Sequence, residues 1–65
     1  MPKAESKKIA YEMIERNRKE MKRNDADAKT REYYRGQAAA IAGYAFVLDI
    51  LSEAEFVEIT NEIWR

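Results

Sequence analysis

Between Lys3 and Arg65 there is no proline, and only Gly36 and Gly43 interrupt a chain whose residues otherwise favour or tolerate helix. The one proline, Pro2, suits a first helical turn, where the missing N–H has no bond to lose. No run of alternating polarity and no Asn-Gly turn points to a hairpin of strands. The chain therefore reads as all-α. A single domain over 1–65 is expected: a helical hairpin plus a short third helix, assembling into a homo-oligomeric helical bundle.

Length makes association part of that expectation. A chain of 65 residues buries only about 60% of its unfolded surface. One core of that size supplies at most about 3–5 kcal/mol. With no cysteine and no histidine, neither a disulfide, a thiolate metal site nor an imidazole ligand is available as a staple. Unusually good helix packing or another copy of the chain is left.

The first helix is expected over about 3–23. Ile9, Met13, Ile14 and Met21 recur at three- and four-residue intervals and form a narrow apolar stripe with Ala10. Asn17 interrupts it, as a lone polar residue that fixes register between packed helices does. Asn24-Asp25-Ala26-Asp27 reads as a turn or joint, with Asp25 or Asp27 capping the next helix; no glycine or proline forces a break there, so one long continuous helix is the alternative. The second helix is expected over about 28–51. Its segment from Ala38 to Leu51 is apolar on nearly every side, with Asp49 its one charge. A helix of that kind needs neighbours all round. Ala39, Ala40, Gly43, Tyr44, Val47, Leu48 and Leu51 are the expected packing and oligomer interface. The third helix, over about 53–64, has the clearest start: Ser52 and Glu55 match a capping box, and Leu51 with Phe56 a hydrophobic staple. Both signals predict a sharp turn at Ser52, with Phe56, Ile59, Thr60 and Ile63 facing inward.

Net charge is zero, with twelve basic and twelve acidic side chains. Residues 1–35 carry eleven basic and seven acidic side chains, a balance of +4; residues 36–65 carry one and five, a balance of −4. Packing of the two segments against each other, within a chain or between chains, accounts for this better than a polyanion-binding surface does. No stretch approaches the roughly 18 apolar residues of a membrane span, and the charged start lacks a signal peptide's apolar core. A cytoplasmic protein with no membrane partner is expected.

Few side chains are suited to catalysis. Asp49 is the one carboxylate in a strongly apolar context, and an exposed or salt-bridged role fits it better than a general acid. Glu58 and Glu62, four apart on one face, resemble a solvated acidic face more than a metal site. There is no phosphate-cradling loop, nucleophile elbow or zinc spacing. An enzyme is not expected, nor any cofactor. Arg16, Arg18, Lys19, Lys22 and Arg23 make the best case for nucleic-acid contact, though Glu12, Glu15 and Glu20 are mixed among them at pairing distance. Tyr33, Tyr34, Arg35 and Trp64 are candidate anchors for a protein partner, since Tyr, Trp and Arg dominate binding hot spots.

Tyr33-Tyr34-Arg35-Gly36 and then Ala40, Tyr44, Ala45, Leu48, Ile50 and Leu51 together resemble a type of small helical accessory protein of bacteriophages and mobile elements. In those proteins a charged helix and a short joint precede a helix that begins near Tyr-Tyr-(Arg/Lys)-Gly and ends in an aliphatic run. The resemblance covers residues 28–51 and carries no functional residues with it. It implies an accessory role in a host cell's cytoplasm, such as binding and inhibiting a host protein, for example a defence nuclease. The expected function is thus a small protein-interaction module with a protein partner, acting by occupancy. The alternative is a nucleic-acid-associated regulator using the basic first half.

Overall fold

A computed structural model describes residues 2–65. They form three helices and no strand: α1 (Lys3–Met21), α2 (Ala28–Val47) and α3 (Glu53–Ile63). The all-α reading and the hairpin-plus-third-helix order agree with the sequence. Each helix stops earlier than expected, and the reasons are local.

Pro2 caps α1 in extended backbone, its carbonyl accepting from the N–H groups of Glu5 and Ser6 at 3.1 and 3.0 Å. α1 ends two residues before Arg23 because Arg23 folds into the joint. Its guanidinium bonds back to Glu20 at 2.9 Å and forward to Asp25 at 2.8 Å. The break between α1 and α2 is therefore held by side chains, with no glycine or proline. Of the two candidate caps, Asp27 takes the role: its Oδ1 accepts from the Thr30 N–H at 2.7 Å. That bond holds its carboxyl below the usual range.

α2 ends at Val47, four residues short of the expected boundary. Asp49 adopts φ 61°, the left-handed region. The Ile50 N–H donates to the Ala45 carbonyl at 2.8 Å and the Asp49 N–H to the Phe46 carbonyl at 3.0 Å. These two bonds are a Schellman motif with aspartate where glycine is usual. The reversal carries Leu51 into the core, where it is 1% exposed. The turn at Ser52 is consequently preceded by a short linker, and is less abrupt than the capping signals suggested. The box itself forms in full: Ser52 Oγ accepts from Glu55 N–H at 3.2 Å, and Glu55 Oε1 from Ser52 N–H at 2.9 Å.

One core joins the helices: Ala10 and Ile14 from α1, Ala38, Ala42 and Ala45 from α2, then Leu51, Ile59 and Ile63. Ile41, Ile50 and Phe56 pack against it half-buried. Phe56 stacks on Phe46 with ring centres 4.7 Å apart. Ile59 and Ile63 face inward as read from the sequence. Although the segment from Ala38 on reads as apolar on nearly every side, the inner face of α2 is the alanine row with Ile41 half-buried beside it, while Tyr44, Val47 and Leu48 stay exposed. α3 runs alongside α1 in the same direction, tied by Lys7 to Glu55 and Arg18 to Glu62, each at 3.1 Å. Part of the charge asymmetry between the two halves of the sequence is thus neutralised inside one chain.

Candidate protein-docking surface

The α1–α2 hairpin has two faces. α3 covers the face bearing Lys7, Ile14 and Arg18. On the other, side chains three and four apart line a shallow apolar groove of about 350 Å³: Ile9 and Met13 from α1, Ile41 and Tyr44 from α2 and Leu48 just past its end, with Ile50 beyond. Ile9, Met13, Tyr44 and Leu48 are all exposed, Tyr44 at 72% and Leu48 at 67%. The same face continues toward the joint as a polar cleft containing Arg16, Asn17, Glu20 and Gln37, with Tyr34 on its wall. Asn17 does not cross to a neighbouring helix: its Nδ2 donates to the Met13 carbonyl of its own helix at 2.9 Å.

Beside the groove lies the outward crest of α2. Tyr33, Gly36, Ala40, Gly43 and Val47 succeed each other at alternating spacings of three and four, the geometry of a single seam on a helix. Tyr33 and Val47 are exposed, Val47 at 78%. A methyl group added at Gly36 or Gly43 meets nothing within 4 Å. Of the residues expected to form an interface, Ala40, Gly43, Tyr44, Val47 and Leu48 lie on this crest or the adjoining groove. Ala39 is half-buried at its margin. Leu51 is a correction, since the reversal after Val47 places it in the chain's own core.

The expected anchors separate. Tyr33 is exposed and meets Tyr34 edge-on at 5.1 Å. Its hydroxyl accepts from the Gln37 amide at 2.7 Å. Arg35 is engaged within the chain: Nε donates to the Ile63 carbonyl at 3.3 Å, the guanidinium lies 5.4 Å from the centre of the Trp64 ring, and Glu32 pairs with it. Trp64 thereby docks on its own α2, although more than half of its surface stays open.

The basic residues also divide. Arg18 pairs with Glu15 and Glu62, and Arg23 with Glu20 and Asp25. Among the described residues Arg16, Lys19 and Lys22 make no ion pair. Asp49, 93% exposed, lies 3.7 Å from Lys3, so the apolar flanks that drew attention to it in the sequence do not enclose it. Among the described residues no cluster of three or more acidic side chains is placed to hold a metal, and no helix is long and apolar enough to cross a membrane.

A strongly perturbed carboxyl lies at the start of α3. The Ser52 N–H, then Lys7, then the Ser52 hydroxyl bring Glu55 down to about 2. Burial and the neighbouring Glu55 carboxylate push the Tyr11 phenol up. Both shifts arise from a capping box and an inter-helix tie, the kind of structural network that perturbs titration as an active site does. Nothing in the sequence separation of Lys7 and Tyr11 from Glu55 made this cluster predictable, although Glu55 itself was legible as the third residue of the box. No protein-family model, no curated protein and no solved structure matches the chain.

Proposed function

We propose that this chain is a small, non-enzymatic protein-interaction module, an accessory or inhibitor protein of the phage and mobile-element type that works by occupying a surface of a host protein in the host cytoplasm. One observation carries the reading: the hairpin face opposite α3 is lined by Ile9, Met13, Ile41, Tyr44 and Leu48 and has no fourth helix over it. Exposed apolar residues gathered in a groove, as opposed to scattered singly, mark interaction sites. A groove between two helices accepts an amphipathic helix laid along it. The module also self-associates through the outer side of α2. The basic first half supports a nucleic-acid role less well, because Arg18 and Arg23 are already held by carboxylates.

A photoreactive side chain at position 48, installed in the chain expressed in bacterial cells, tests this reading. A discrete adduct with one cellular protein is expected, absent when the probe sits at Lys19 and lost on Met13→Glu. The same set of adducts from both positions would overturn it, as would no protein adduct at position 48.

A further inference from the structure

Two glycines sit in the interior of α2, where each is less favourable than alanine, and yet no atom of the chain comes near enough to require them. The fold gives no reason for either. Without a side chain at either position, the outer side of α2 leaves room for another backbone to approach closely. Both lie on the crest formed by Tyr33, Gly36, Ala40, Gly43 and Val47, about 21 Å long at 1.5 Å per residue. Large exposed apolar groups stand at its two ends.

The charges decide what approaches it. Contacts between Lys7 and Glu55, Arg18 and Glu62, and Arg35 and Ile63 fix which segments share an end of the molecule. The end holding the joint, residues 13–37 and 59–65, carries nine basic and six acidic side chains, a balance of +3; the opposite end, residues 2–12 and 38–58, carries three and six, a balance of −3. The polarity seen along the sequence therefore persists along the long axis of the folded molecule, which extends 37 Å. Ala40 sits midway along the crest.

We infer that the crest of α2 packs against the same crest of a second copy, antiparallel about a two-fold axis at Ala40. The inference deepens the self-association already proposed and rests on reading the outer side of α2 as an interaction surface. An isologous contact of this kind is self-complementary. About that axis Tyr33 meets Val47 of the second copy and Gly36 meets its Tyr44, so each bulky group faces a small or apolar one. The basic end of each molecule lies over the acidic end of the other. A parallel pair would place like ends together. One helix face is smaller than the roughly 800 Å² per partner of a standard interface, so the dimer is concentration-dependent and, being held partly by exposed charge, weakens with salt.

The absence of cysteine from the chain makes the arrangement directly testable. Ala40→Cys alone is expected to form a disulfide-linked dimer under mild oxidation, at least tenfold faster than a Lys19→Cys control. Val47→Cys alone does not, but Tyr33→Cys and Val47→Cys chains mixed together cross-link. Linkage of Val47→Cys to itself without linkage to Tyr33→Cys would overturn the antiparallel axis. Rates no faster than the Lys19→Cys control at every position would overturn the dimer. In sedimentation, Gly43→Lys abolishes association without change in helix content; association that survives it overturns the crest as the contact. A lost dimer with a retained adduct at position 48 removes this inference alone. A retained dimer with no adduct removes the host-protein reading alone.

Discussion

Arg35 and Trp64 are 29 residues apart in sequence, yet the guanidinium lies over the indole at 5.4 Å while its Nε bonds the carbonyl just before the ring. One side chain thus both satisfies a carbonyl freed at the end of α3 and anchors the terminal aromatic. Cation–π contacts at exposed sites contribute about 0.5–1 kcal/mol. Arg35→Met is expected to lower stability by about 1 kcal/mol and to shift the emission of Trp64, the single tryptophan, toward that of a free indole. An unchanged emission maximum in native buffer would contradict the contact.

Asp49 occupies left-handed backbone, which costs a non-glycine residue roughly 1–2 kcal/mol, less for Asp and Asn. Its side chain offers little in return: the pair with Lys3 is 3.7 Å long and exposed, and such pairs contribute about 0–1 kcal/mol. Asp49→Gly should therefore stabilise the chain by up to about 1 kcal/mol, raising the melting temperature by about 4–8 °C. Asp49→Val should lower it. Thermal melts of both variants, monitored by far-ultraviolet circular dichroism, decide the point.

Glu55 titrates at about 2 in the folded chain against an ordinary 4.5. A depressed folded value means that the unfolded chain takes up the proton first. The stabilisation it represents is therefore present above pH 4.5 and disappears as the pH falls from 4.5 to 2. Urea midpoints measured across that window should fall steeply for the natural chain and less steeply for Glu55→Gln. Ser52→Ala removes the reciprocal half of the box and should cost about 1 kcal/mol at neutral pH.

Leu48 and Leu51 are three residues apart and have opposite fates, one 67% and the other 1% exposed. Emptying a buried leucine to alanine costs about 2–5 kcal/mol, comparable with the whole stability expected of a chain this short. Leu51→Ala should be largely unfolded by circular dichroism at 37 °C. Leu48→Ala should change the urea midpoint by less than the equivalent of about 0.5 kcal/mol.

Those two leucines also show where the sequence was legible. The start of α3 could be read because Ser52 and Glu55 act within one turn, and local hydrogen bonding needs no knowledge of the rest. The joint was legible only in part: with no glycine or proline to force a break, one continuous helix stayed open, and both the break and the choice of Asp27 over Asp25 required the structure. The end of α2 was hidden because aspartate, not glycine, makes the reversal and the apolar run continues through it to Leu51. Its inner face was hidden too: from Ala38 onward nearly every position is apolar, so periodicity has no polar side to set against the core. The groove inherits that ambiguity. Tyr44 and Leu48 were read together with Leu51 as one packing and oligomer interface, and the sequence did not separate the two that stay exposed from the one that the chain buries.

The alanine row at the heart of the molecule has a consequence for variation. Ala38, Ala42 and Ala45 are buried in the core shared with α1 and α3, and alanine loses no rotamer freedom on burial. A larger side chain there would have to wedge the helices apart, whereas on the opposite side of α2 an added methyl group meets only open space. The fold of a single chain therefore holds one side of α2 fast and makes no demand on the other, where only a second copy does. Descendants of this sequence can thus change or lose that partner by substitutions on the outer side while the scaffold beneath is inherited unchanged.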